Sequence, residues 1–367
     1  MTGHHENGDS ENGDSENGDE DRRTGGRSRS RALRAAGLAL AGALALGAAA
    51  GGWVYWHLND NIKSVDINSA LGDDRPPKTV ATPSPTASAG AAPAASPLPT
   101  GAMNILVLGS DSRSGKENQE LGGGDSAGAR SDTAMVVHVD PGRTGATVVS
   151  IPRDTLVTRP SCPLPSGGAT AVQYGAMFNS AYSVGGPVCA VKTVESITGV
   201  RMDHYIEIDF SGFAKLVDAL GGVEVTTGQD IDDDLSHLHL AKGTHHLDGT
   251  QALALARTRH GIGDGSDLGR IGLQQTLVKA LLEQMAHTSL LSDPTRLYRV
   301  ADAVTAGLTT DTGLDSLSEL MSLGESLRGL TADRVTTVMM PVVTAPTDRN
   351  RVVAREPAAS DLWKSLR

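Results

Sequence analysis

Aromatic side chains are scarce in this 367-residue chain: three Trp, five Tyr and three Phe make up 3% of it. That is low for a core, so packing must draw on the abundant Ala, Gly and Leu. Cysteine is scarcer still, with two residues, too few to build a zinc site. Lysine is under-used, eight against 24 arginines, a bias that suits planar, bidentate recognition of phosphate or carboxylate. Excess positive charge is missing: the net charge of −11 argues against non-specific attraction to nucleic acid. Metal-binding patterns are missing too. His245, His246 and His260 lack a third ligand at metal spacing. The stretch GQDIDDDL (228–235) matches no compact calcium loop and reads as a solvated acidic loop. The loop GSDSRSGK (109–116) fails as a phosphate loop, its glycine-to-lysine spacing being one residue too long and Glu117 standing where Ser or Thr belongs.

What is present begins with a polarised N-terminus. Residues 1–21 repeat an ENGDS-type unit with eight acids and no Lys or Arg, a composition that cannot build a core. Arg22, Arg23, Arg27, Arg29, Arg31 and Arg34 follow, and then 35–56 run 22 residues without a charge, ending in Trp53, Tyr55 and Trp56. As a helix this run would be roughly 33 Å long, about the thickness of a bilayer's hydrocarbon. The reading is a cytoplasmic tail (1–34), a transmembrane helix (35–56) with the arginines inside, and everything after it outside the cell membrane. A cleaved signal peptide is the alternative, disfavoured by the length of the run and the 34 residues before it. An exterior location favours a disulfide between Cys162 and Cys189, with two separate buried thiols as the other reading. Residues 57–100, with seven prolines in 76–100, read as an extended linker, leaving 101–367 as the folded domain.

Within that domain, strand and helix signals alternate. Asn104–Leu108, Thr133–Val139, Ala146–Ile151, His204–Ile208 and Val223–Val225 read as strands. Asn179–Val184, Val188–Thr198, Ser211–Leu220, Leu268–Met285, Pro294–Ala306 and Gly313–Leu330 read as helices, and Val335–Val342 as a last strand. The pattern predicts an α/β fold with a mostly buried central sheet, whose site lies in the loops at strand ends.

Asp111, Arg130, Asp132 and Arg153 all fall at predicted strand termini. Taken singly, each is explained as a turn, cap or solvated residue. Taken together with LARTRHGIGDGSDLGRIGLQQ (255–275), they are more specific. In an extended segment Arg257 and Arg259 would share a face, and on a helix Arg270 and Gln274 would share another. Ser266 or Asp267 could cap that helix. Five guanidinium groups near two carboxylates suit a pyrophosphate clamp, with Mg²⁺ (or Mn²⁺) as the bridging cation.

The blocks NILVLGSDSR, ARSDTAMVVHVD, VSIPRDTLV, FNSAYSVGGP, TGVRMDHYIEIDFSGFAKLVDALGGVEV and LDGTQALALARTRHGIGDGSDLGRIGLQQ resemble, in order and spacing, the LytR-CpsA-Psr family of its actinobacterial type. The resemblance covers roughly 103–285. It implies a three-layer α/β/α sandwich with a central mixed sheet, and a lipid channel. It also implies a phosphotransferase that moves a glycopolymer from a polyprenyl-pyrophosphate carrier to a peptidoglycan hydroxyl in cell-wall assembly. The polymer is left open among teichoic acid, arabinogalactan and capsule. By position, Asp111 and Asp132 would hold Mg²⁺, while Arg130, Arg153, Arg257, Arg259 and Arg270, with Gln274, would grip the pyrophosphate. Leu273 and Met177 depart from basic residues found in many relatives. Hydrolysis of the same lipid pyrophosphate is the alternative enzyme reading. A membrane-bound transcriptional regulator would need a DNA-reading module that 34 cytoplasmic residues of this composition cannot build. A non-catalytic glycan-binding envelope protein is the third reading.

Overall fold

The computed structural model describes residues 47–78, 101–110, 131–164, 166–259, 267–288 and 293–367. The chain divides into two units, Met1–Trp56 and His57–Arg367. In the first, residues 47–56 are helical and Trp53, Tyr55 and Trp56 are exposed. The expected tail 1–34 and the first half of the expected span, 35–46, lie outside the described residues. Among the described residues no helix is long and apolar enough to cross a membrane.

The second unit contains fifteen strands and eight α-helices among its described residues. It opens with β1 (Lys63–Val65) and α1 (Ile67–Leu71), then β2 (Met103–Ser110), β3 (Ser131–Val139), β4 (Ala146–Ser150), β5 (Leu156–Arg159) and β6 (Gln173–Met177). Next come α2 (Ser180–Thr198), β7 (His204–Asp209), α3 (Phe210–Ala219), β8 (Val223–Thr227), β9 (Ile231–Asp233), β10 (Leu238–Leu240), β11 (Gly243–Leu247) and α4 (Gly249–Arg257). The chain continues through α5 (Asp267–His287), α6 (Pro294–Gly307), β12 (Leu308–Asp311), α7 (Leu317–Leu327), β13 (Val335–Met339), β14 (Val342–Ala345), β15 (Asp348–Ala354) and α8 (Ala358–Lys364).

Seven strands form one mixed sheet in the order β1-β12-β7-β2-β3-β4-β13. β2 runs parallel to β7 and antiparallel to β3. Successive side chains of a strand point to opposite faces, and both faces of this sheet are dry. Leu106 and Leu108 join Val136, Val149 and Tyr205 in one core with Val191 and Val194 of α2 and Trp363 of α8. Met103 and Ile105 join Met135, Val139 and Val148 in another with Leu323 of α7, against which Val278 and Leu282 of α5 pack. Helices therefore cover both faces, which is why the strands read as continuous apolar runs rather than alternating ones. A third apolar cluster joins α3, α4 and α5 to the small ribbons β8/β11 and β9/β10. There α3 and α4 touch so closely that a Cβ on Gly249 would lie 2.1 Å from the Ala214 carbonyl oxygen.

The expected linker 57–100 needs correction. β1 pairs in parallel with β12 at the sheet edge, Lys63 opposite Thr309. Arg75 is buried against Glu195, with Nη2 2.6 Å from Oε1. The folded unit thus begins at His57, and 79–100 of the supposed spacer lie outside the described residues. A three-residue strand held by pairing 246 positions away leaves no periodicity to read. Cys162 and Cys189 are joined, tying the loop after β5 to α2 across 27 positions. A closure of that length contributes on the order of 3 kcal/mol.

Candidate functional site

A cavity of about 450 Å³ opens between β2, β3 and β7 on one side and α3, α4, α5 and the β9–β10 turn on the other. One face of α5 shows how its character changes along its length. Arg270, Gln274, Leu277, Val278 and Leu281 all line it, at the i, i+4, i+7, i+8, i+11 spacing that shares one side of a helix. The two polar residues come first and the three apolar ones follow, over roughly 16 Å of helix axis. Val107, Met135, Ile208 and Phe213 extend the apolar wall, while Arg257, Arg259, Asp209 and Asp233 add to the polar lining.

Each polar side chain is placed by local structure. The α4 helix starts with a capping box, Asp248 accepting from the Gln251 amide and Gln251 returning a bond to the Asp248 amide. It ends at Arg257, whose guanidinium lies 4.9 Å from the centre of the Phe210 ring, a cation–π distance. Thr258 leaves the helix at φ −55°, ψ 131° and swings Arg259 into the cavity. The Arg259 amide donates to Asp233 Oδ2 at 2.8 Å. On α5, Arg270 and Gln274 are 3% and 5% exposed. Gln274 Nε2 donates to Thr133 Oγ1 on β3 and to the Ala256 carbonyl on α4, both at 2.9 Å. That glutamine therefore ties α5 to the sheet and to the arginine-bearing helix.

Of the residues expected in the site, Arg257, Arg259, Arg270 and Gln274 line one cavity. The extended segment expected to carry Arg257 and Arg259 is instead a helix end plus a bend, so the two converge through Thr258 and not through strand alternation. Asp111 and Arg130 lie outside the described residues. Asp132 sits in the backbone of β3, where Ser110, the residue before Asp111, pairs with Ser131. Arg153 does not line the cavity. It sits in the turn after β4, its carbonyl accepting the Asn179 amide at 3.1 Å, while Gln275 of α5 reaches Ser150 at the end of β4 at 3.5 Å. Leu273 also stays out of the cavity and packs half-buried against the third apolar cluster. Met177 ends β6, paired with Leu156.

Three lining residues escaped the sequence reading. Asp209 caps α3, accepting the Gly212 amide at 2.7 Å, and Phe210 follows it. Asp233 is 2% exposed, although its stretch reads as a solvated loop. Its neighbours Asp232 and Asp234 are exposed, with His239 beside them, and do form a wet acidic patch. The alternation exposed–buried–exposed across Asp232, Asp233 and Asp234 is the strand signal that a count of acids conceals.

Comparison with known proteins places this geometry among relatives. The model of the LytR_cpsA_psr family matches residues 54–367. The "Probable cell wall biosynthesis protein LcpB" of Corynebacterium glutamicum is 36% identical over 245 residues, 65% of this chain and 55% of that protein. "Polyisoprenyl-teichoic acid–peptidoglycan teichoic acid transferase TagV" of Bacillus subtilis is 30% identical over 240 residues, 64% of this chain and 58% of that one. The chain thus spans little more than half the length of these curated relatives. Among solved structures, a LytR-Csp2A-Psr enzyme from Actinomyces oris superposes with a TM-score of 0.55 at 26% identity, covering 73% of this chain and 90% of that one.

Proposed function

Because this chain belongs to the LytR-CpsA-Psr family, we propose that it transfers a glycopolymer, with one phosphate, from a polyprenyl-pyrophosphate carrier to a peptidoglycan hydroxyl. The observation that carries this reading is the polarity gradient of the cavity. Three arginines gather with Gln274 on its polar lining, and the leucines and valine of α5, faced by Phe213 of α3, continue the wall. A molecule with a doubly charged pyrophosphate and a hydrocarbon tail matches both halves at once; a nucleotide or a free sugar phosphate matches only one. The printed name of the Bacillus subtilis relative, a polyisoprenyl-teichoic acid–peptidoglycan transferase, supports the same donor and acceptor classes.

In the proposed step the acceptor hydroxyl oxygen attacks the sugar-side phosphorus. The bridging P–O bond breaks, polyprenyl phosphate leaves with the bond's electrons, and the hydroxyl's proton passes to solvent. Arg257, Arg259 and Arg270 hold the non-bridging oxygens and meet the charge that grows on them, a role for which guanidinium geometry is suited. Arg130 and Arg153 are assigned to the same anion on their sequence positions. Asp111 and Asp132 would hold Mg²⁺. That assignment rests on their sequence positions and on carboxylates being hard oxygen donors, and the cation would neutralise phosphate charge. The arginine block, the uncharged run 35–56 and the Cys162–Cys189 bond support a single membrane anchor with the His57–Arg367 unit outside the cell.

The test is to incubate the full chain in detergent with a labelled polyprenyl-pyrophosphate glycan, Mg²⁺ and peptidoglycan fragments. Label is expected on the peptidoglycan. Label appearing solely as free phosphosugar would replace transfer with hydrolysis.

A further inference from the structure

Asp233 stands out from the other acidic residues of its stretch because it is buried inside a cavity already rich in arginine. Three backbone amides converge on its carboxylate. Oδ1 accepts from Leu235 at 3.0 Å and, more weakly, from Ser236 at 3.4 Å; Oδ2 accepts from Arg259 at 2.8 Å. A second link runs beside it, Ser236 Oγ to Thr258 Oγ1 at 2.9 Å. The β9–β10 turn is therefore fastened to the two residues at which the chain leaves α4 and delivers Arg259. Ile231 and Leu238, flanking that turn, are fully buried in the third apolar cluster, so the turn is a fixed platform. Arg259 lies two residues beyond Arg257, the last residue of α4.

We propose that Asp233 is a positioning residue for the proposed transfer: it aims Arg259 at the donor pyrophosphate by anchoring that arginine's backbone to the β9–β10 turn. This rests on the reading that the cavity takes a pyrophosphate. A carboxylate is required because its two oxygens accept on opposite sides. An asparagine offers one carbonyl, and its NH₂ would face an N–H, so either the turn or Arg259 loses its bond. The carboxylate also moderates repulsion among the three guanidinium groups, an effect of its charge alone.

A double-mutant cycle separates aim from charge. Affinity of the full chain for farnesyl pyrophosphate with Mg²⁺ is measured in four proteins: wild type, Asp233→Asn, Arg259→Ala and the pair. The direct action of the lost carboxylate's field on the ligand is present in both backgrounds and cancels. Its action on the Arg259 guanidinium does not, so Ser236→Ala, which keeps the charge, is measured in both backgrounds as well to isolate the aim. Asp233→Asn is expected to weaken binding at least fivefold more in the wild-type background than in Arg259→Ala. An equal factor in both backgrounds overturns the proposal. Ser236→Ala removes the parallel link; it is expected to weaken binding two- to threefold, and only where Arg259 is present, and it carries the test alone should Asp233→Asn fail to fold. An equal effect in both backgrounds again overturns it. A wild-type protein that binds no prenyl pyrophosphate sinks both this inference and the function on which it rests, whereas binding without transfer sinks the transfer reading and leaves Asp233's role intact.

Discussion

On the α2 side of the sheet, buried charge is met in full by partners from the same chain. Glu195 receives Arg75 through Nε and Nη2 and the Met202 amide at 2.9 Å. Glu207 receives the phenols of Tyr182 and Tyr205, each at 2.6 Å. The cavity on the α5 side is arranged differently. Three guanidinium groups line it together with two described carboxylates, and both of these already accept backbone amides. One side resembles a finished structure, with anions matched to donors. The other gathers three arginines around an open cavity, and that contrast points to the cavity as the place to look for a site. Substitutions on the two sides should therefore separate stability from activity.

The largest effect is expected on the finished side. Arg75→Ala leaves Glu195 buried with the Met202 amide as its remaining described donor, a loss of about 3–5 kcal/mol for an uncompensated buried charge. A denaturant midpoint measures it, while transfer per folded molecule should stay near wild type. A change below about 1 kcal/mol would mean the pair is not the match it resembles. Arg270→Gln is the mirror experiment. Transfer, read as kcat/KM, should fall roughly 10²–10³-fold, as on removal of one anion-stabilising donor, with stability changed by less than about 1 kcal/mol. Loss of stability without loss of activity would reverse the assignment of the two sides.

The same division explains what could be read in advance. The sheet strands β2, β3, β4 and β7 and the helix α5 were legible because burial on both faces produces long apolar runs, and helix spacing survives in the sequence. Arg257, Arg259, Arg270 and Gln274 were legible as a group because glycines and arginines crowd one segment. β1, the β5–β6 and β14–β15 ribbons and the buried role of Arg75 were not, since each depends on partners far away in the chain. Asp233 was hidden for another reason: four acids in GQDIDDDL average to a solvated loop, and only pairing with β10 shows that one of them points inward.

A smaller effect should follow from thinning the donors of Glu207. Burial first, and then the neighbouring Glu207 carboxylate, push the Tyr205 phenol well above its ordinary value, so it stays protonated and donating across the accessible pH range. Tyr205→Phe removes that donor and leaves Tyr182 alone on a buried carboxylate, at about 1–3 kcal/mol. Urea unfolding of this variant should show the loss with unchanged affinity for prenyl pyrophosphate. Weakened affinity would mean that the two sides of the sheet communicate through β7, whose next residues, Ile208 and Asp209, line the cavity.

The smallest effect concerns pH and tests whether matching on the finished side extends to the sheet edge. Burial pushes the Asp311 carboxyl up, but the His204 ring and the amides of Tyr205 and Gly313 together outweigh it and hold it below its usual range. A carboxyl whose folded pKa lies below its unfolded value contributes stability that is present above the unfolded pKa. That contribution is lost as pH falls through the folded one. For Asp311 the window therefore lies below about pH 4, starting near the ordinary aspartate value. The stability gap between wild type and Asp311→Asn should narrow between pH 4 and pH 2 relative to its value at pH 5. Other carboxyls titrate in both proteins and drop out of the difference. A gap that stays constant down to pH 2 would show that the ionised form of Asp311 is not what its neighbours hold. The β12 end, where Asp311 pairs with Val65 of β1, would then be fastened by packing and strand pairing instead of by charge.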